Sequence, residues 1–127
     1  MTETFLMSAL ADSELLARFV YSSNGYRTMD MSVRPEAFLP RNNETSVFRH
    51  INLSEDEIVV LGKRLAVARN YHGRADVKVE AVNSVGLFVE PTPMPRNHAN
   101  IKGWPLDKPS QKQRAIDLAK KAAFIPA

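Results

Sequence analysis

The stretch Asp76–Val89, DVKVEAVNSVGLFV, decides the fold class. Across Asp76–Val82, Val77, Val79 and Ala81 alternate with Asp76, Lys78 and Glu80. A period of two is the pattern of a strand with one buried face. Val85, Leu87 and Val89 repeat it, and Asn83-Ser84 between the two runs suits a tight hairpin turn, less strongly than Asn-Gly would. An antiparallel pair is therefore expected here. Pro91, Pro93 and Pro95 then prevent a continuous central strand, because each removes a ladder N–H.

Upstream of this pair, Ser54-Glu55-Asp56-Glu57 is a capping box. The Ser54 hydroxyl can accept from the Glu57 N–H while the Glu57 carboxylate reaches back. It predicts a helix from about Glu55 to Ala68 that buries Ile58, Leu61, Leu65 and Ala68, with acidic residues first and Lys63, Arg64 and Arg69 toward the end, as the helix dipole prefers. Residues 15–22, LLARFVYS, and Ser46–Ile51, SVFRHI, read as two more strands. Between them, Pro35 and Pro40 disfavour a helix, so a short strand at Met31–Val33 and a helical turn at Pro35–Phe38 are expected.

Downstream, Pro95–Pro105, PRNHANIKGWP, reads as a loop leading into a helix from about Ser110 to Phe124, with Ser110 and Gln113 as a second capping box. Ala115, Leu118, Ala119 and Ala122 line one side of that helix and suit close packing on a sheet. The sum is an α+β fold: a small antiparallel or mixed sheet with helices packed over one face. The length of 127 residues predicts a single domain over residues 1–127.

The chain has no cysteine, which excludes disulfides, thiolate metal sites and cysteine nucleophiles and fits a reducing, cytoplasmic setting. The opening MTETFLMSAL lacks a basic start and a long apolar run, and no window is long and apolar enough for a membrane span. Net charge is +3, unevenly spread: residues 1–63 hold 6 basic and 9 acidic residues, residues 64–127 hold 11 and 5. The basic half is compatible with an anionic partner, nucleic acid or protein, and equally with a solvated helix face.

Few residues single themselves out for chemistry. His98, next to Asn97, is the candidate catalytic general acid/base, or else a ring that bonds backbone to hold a turn, and Arg96, Asn100 and Lys102 beside it are candidates to hold an anionic ligand. Arg18 and Arg49, at predicted strands, would form an anion platform if they faced the same way, since the planar guanidinium grips oxyanions bidentately. Trp104 either stacks on a ring of a ligand or plugs the edge of the core. Lys112, Arg114, Lys120 and Lys121 would present cations from the last helix. His50, His72 and His98 have no metal-site spacing, and no phosphate-binding glycine loop or nucleophile elbow is present, so neither a metal nor a cofactor is expected.

The order RFVYSS, VRPEAFLP, SVFRH, GRADV and HANIKGWP before an alanine-rich helix resembles a group of short bacterial proteins, over about Arg18 to Ala123. The most distinctive piece is His98–Pro105. The resemblance implies a bacterial or mobile-element origin and a free-standing small domain, and it carries no catalytic residues with it. Three readings follow from the sequence. The first is a binding module whose basic half meets an anionic partner. The second is a small hydrolase or transferase for a phosphate-containing substrate, with His98 as acid/base. The third is a non-catalytic subunit of a complex. Convergence of His98, Arg49 and Arg18 on one pocket would lift the enzyme reading above the binding one, and their dispersal would sink it.

Overall fold

In a computed structural model that describes residues 9–127, eight strands and three helices follow one another. The first four strands are β1 (Leu15–Val20), β2 (Tyr26–Arg27), β3 (Ser32–Val33) and β4 (Thr45–Arg49), followed by helix α1 (Glu55–Ala66). Next come β5 (Gly73–Lys78), α2 (Val79–Ser84), β6 (Phe88–Pro91), β7 (His98–Lys102), α3 (Lys108–Lys120) and β8 (Ala123–Pro126). Residues 1–8, which the leader reading above partly rests on, lie outside the described residues. No described helix is long and apolar enough to cross a membrane.

Six strands form one open sheet in the order β6-β7-β4-β1-β5-β8, and every pairing is antiparallel. β2 and β3 make a small separate hairpin, and Pro35–Ala37 is the expected helical turn. The α+β class with an antiparallel sheet is thus the observed one.

The alternation of β1 sorts the core into two layers. Leu16 and Val20 point into a large apolar cluster with Val47, Val77, Ile101 and residues of α2 and α3. Ala17 and Phe19 point the other way, into a smaller cluster with Phe48 and Ile58 of α1. So α3 packs on the sheet, as its alanines led us to expect, and α2 joins it there, while α1 covers part of the opposite face, so the helices do not all lie over one face as expected. Burying an aliphatic or aromatic side chain in such clusters contributes about 1.5–3 kcal/mol, so both layers hold the sheet.

The capping box of α1 forms as read: Glu57 N–H donates to Ser54 Oγ (3.1 Å) and Ser54 N–H to Glu57 Oε1 (2.8 Å). On this helix Ile58, Gly62 and Ala66 are buried, with Leu61 and Leu65 packed at the margin and Ala68 exposed.

Four other expectations need correction. Val79–Ser84 is a helix, not the second half of a strand, so no hairpin turns at Asn83-Ser84. Val79 and Val82, three residues apart, are its buried side. His98–Lys102 is a strand inside the sheet, not a loop. The last helix begins at Lys108 and is capped by Asp107, whose Oδ2 accepts from Ser110 N–H (2.9 Å), rather than by Ser110 itself. That helix also stops at Lys120, because Ala123–Pro126 peels off and pairs with β5 through Phe124↔Ala75.

Candidate functional site

Placing His98–Lys102 in a strand changes what its side chains do. Ala99 and Ile101 enter the core, while His98, Asn100 and Lys102 lie together on the opposite side. The register with β4 puts His98 opposite Phe48 and Asn100 opposite Ser46. On this side the outer half of the sheet carries no helix: Ser46, Phe88 and Glu90 are exposed and His98, Asn100 and Lys102 half-buried. Where this open half meets the end of α1 and the segment 39–44, there is a cleft of about 930 Å³. Its lining includes Arg18, Tyr21, Arg41, Ser46, Arg69, His98 and Asn100, with Glu36 and Glu44 at the same cleft.

Asn97 fixes the start of β7. It takes a left-handed conformation (φ 68°), which a short amide side chain tolerates. Its Nδ2 donates to Arg49 O (2.8 Å) and Ile51 O (2.7 Å), and its own carbonyl accepts from Arg49 N–H (2.7 Å). The neighbouring His98 ring is then held edge-on to Phe48, with ring centroids 5.2 Å apart.

Both nitrogens of His98 are engaged by hydroxyls. Nδ1 lies 2.8 Å from Thr92 Oγ1 and Nε2 lies 2.7 Å from Ser46 Oγ. The Thr92 hydroxyl also lies within reach of two carbonyls, Met94 O at 3.1 Å and His98 O at 3.4 Å. When its proton goes to one of them, Nδ1–H donates to Thr92 Oγ1 and Nε2 accepts from the Ser46 O–H; the other tautomer reverses both bonds. Burial favours the neutral ring by pushing the imidazole below its ordinary value, with the Glu44 carboxylate opposing more weakly. A neutral ring with Nδ1–H toward Thr92 is a base whose lone pair meets an exposed serine.

The arginines divide into two kinds. Arg49 and Arg74 are buried against carboxylates. Arg49 pairs with Glu14, and Arg74 bridges Glu55 and Asp76, whose Oδ1 also meets His50 Nε2 at 3.0 Å. Arg18 is different: it is half-buried and gives Nε–H to Ala37 O (2.8 Å) and Nη1–H to Ser46 O (2.9 Å), both neutral acceptors. Burial pushes its pKa down and the charge of Arg41 pushes it further the same way. Arg69 stacks over the Tyr21 ring at 4.2 Å, and that phenol is pushed up to about 12, chiefly by burial and against the pull of Arg69. Among the described residues, none of Arg18, Arg41 and Arg69 pairs with a carboxylate.

The structure thus brings together Arg18, His98 and Asn100 from the sequence candidates, and it separates the rest. Arg49 stands opposite Leu16 in the β1–β4 register, two residues along the strand from Arg18, and is occupied by Glu14. Lys102 pairs with Glu90 (3.0 Å), and Arg96 is exposed near the α1 capping box rather than in the cleft. Trp104 is 6% exposed and donates Nε1–H to Ile101 O (3.0 Å), so it is the core plug. Arg114 donates to Val85 O (2.9 Å), and Lys112 stands 3.8 Å from Glu36. Lys120 and Lys121 line a second, more open hollow with Lys78 and Glu80.

Ser46, Thr92, Arg41 and Arg69 were not foreseen. The alternation of SVFRHI already set Ser46 on the side of Phe48, but its partner lies 52 residues away and depends on the β4–β7 register. Among the described residues no cluster of three or more His, Asp or Glu is placed to hold a metal; His50 meets Asp76 and His72 meets Tyr26 instead. No family model, curated protein or solved structure matches this chain.

Proposed function

We propose that the cleft binds a small phosphate-bearing molecule and that His98 acts there as general acid/base, making this a small hydrolase or transferase. The observation that carries the reading is Arg18. A desolvated guanidinium with only carbonyl acceptors and a like charge nearby is stabilised by an incoming oxyanion, which Arg49 and Arg74, already neutralised, do not need. Arg49 does not join the cleft, so only His98 and Arg18 of the three expected residues converge; Arg41 and Asn100 stand with them, so cations that would hold a phosphate and a base that would move a proton line one cleft. The cysteine-free composition suits a cytoplasmic setting for such chemistry.

Calorimetric titration with inorganic pyrophosphate tests this. The expected result is binding that weakens on the order of 10-fold or more in R18M and in R41A, the loss typical of one charged hydrogen-bonding partner. The double variant K120A/K121A should bind as wild type. Binding that survives R18M and R41A but disappears in K120A/K121A would overturn the cleft and favour a basic surface that meets nucleic acid or protein through its C-terminal half.

A further inference from the structure

Building on that reading, we propose that Ser46 is the nucleophile of the cleft, attacking the phosphorus of a phosphate ester to form a phosphoserine intermediate. Three observations place it there. Ser46 is exposed at the cleft although it lies within β4, so its hydroxyl is open to a bound ligand. Its Oγ is 2.7 Å from His98 Nε2, and Thr92 Oγ1 stands 2.8 Å from Nδ1, where it can accept the Nδ1–H of the tautomer that takes the serine proton. Its backbone carbonyl is gripped by Arg18 Nη1 at 2.9 Å, which fixes the nucleophile's own strand position beside a guanidinium. A hydroxyl is a weak nucleophile until an adjacent base takes its proton in the attack, and such a base contributes roughly 10²–10⁴-fold.

The class of substrate follows from what surrounds the hydroxyl. The cleft offers side-chain cations, Arg18 and Arg41, and the amide of Asn100. Guanidinium groups match the several charged oxygens of a phosphoryl group. In the first step the Oγ–P bond forms, the ester P–O bond breaks, and the Ser46 proton moves to His98 Nε2 and from there to the departing alcohol. In the second, water attacks the phosphoserine, His98 takes its proton, and that proton returns to Oγ as phosphate leaves.

Diisopropyl fluorophosphate provides a probe that stops after the first step, since fluoride leaves and the diisopropyl phosphoester stays on the attacking oxygen. Intact mass and peptide mapping of the full chain should show one adduct, at Ser46, formed at least about 100-fold more slowly in H98Q and absent in S46A. The S46A protein should still bind pyrophosphate, because the hydroxyl is not the anion's main partner. No adduct at Ser46 in wild-type protein, an adduct at another residue, or labelling indifferent to H98Q would overturn the nucleophile. If wild-type protein nevertheless binds pyrophosphate in an Arg18-dependent way, the anion cleft stands and water is the attacking group. If wild-type protein does not bind pyrophosphate at all, the underlying reading itself fails.

Discussion

Replacing Arg49 with Met tests whether this arginine is structural, as its surroundings say. Its Nε lies 2.5 Å from Glu14 Oε2 and its Nη2 2.9 Å from Oε1, a two-point pair, and the side chains are only 4% and 8% exposed. Methionine would fill much of the space but leave the Glu14 carboxylate in a dry environment with no opposite charge. Breaking a buried pair from one side costs about 3–5 kcal/mol. At this chain length each kcal/mol moves the melting temperature by roughly 3–5 °C, so a fall of about 10–25 °C is expected. The double variant E14Q/R49M removes both charges and should recover most of the loss, because replacing a whole buried pair is close to neutral. Urea denaturation of wild type, both single variants and the double gives the coupling directly. A cost below about 1 kcal/mol for R49M would refute the reasoning, as would a double variant no more stable than R49M. Pyrophosphate binding by the folded fraction of R49M should match wild type, in contrast to R18M.

Four further outcomes are expected. Because burial lowers the pKa of His98 below 6.5 and Glu44 partly opposes this, Ser46 labelling should hold its plateau to below that pH, and E44Q should move the midpoint lower still; a midpoint above 6.5 contradicts it. The same depressed value means the unfolded chain binds the proton more readily, so this contribution to stability is complete above about pH 6.5 and is lost as pH falls through the folded value. Melting curves of H98Q should accordingly be flatter across that window than those of wild type. Gly62→Ala would gain up to about 1 kcal/mol of helix propensity, yet its Cβ would sit 2.7 Å from Tyr71 Cε1 and 2.9 Å from Phe19 Cδ1. Overpacking of this kind costs about 1–3 kcal/mol, so urea titration should show a net loss; a more stable variant would mean the aromatic cluster yields freely. D107A should lower the melting temperature while S110A leaves it unchanged, since Asp107 supplies the cap of α3.

Much of the fold was legible where local chemistry has one outcome. Ser54 and Glu57 announce α1 because capping is satisfied within four residues. LLARFV and SVFRH read as strands because their β-branched and aromatic residues alternate across a buried sheet. VEAVNS was ambiguous: Val79 and Ala81 suit a period of two, Val79 and Val82 a helical turn, and six residues are too few for either pattern to win alone. HANIK was obscured by the prolines and glycine around it, although Ala99 and Ile101 do alternate with His98, Asn100 and Lys102.

For the site, the sequence by itself determined the chemistry available: a cysteine-free chain, three histidines, and arginines at strand positions. It marked His98, Arg18 and Asn100 as candidates and left Ser46 and Thr92 among ordinary hydroxyls. Only the tertiary structure decided which groups meet. The β4–β7 register carries Ser46 to His98, Glu14 neutralises Arg49, and Arg18 is left beside Arg41 with carbonyls alone. The reason is physical: a one-residue slip of a strand turns every side chain to the opposite face, and whether a guanidinium is spent or available depends on a partner supplied by a distant part of the chain.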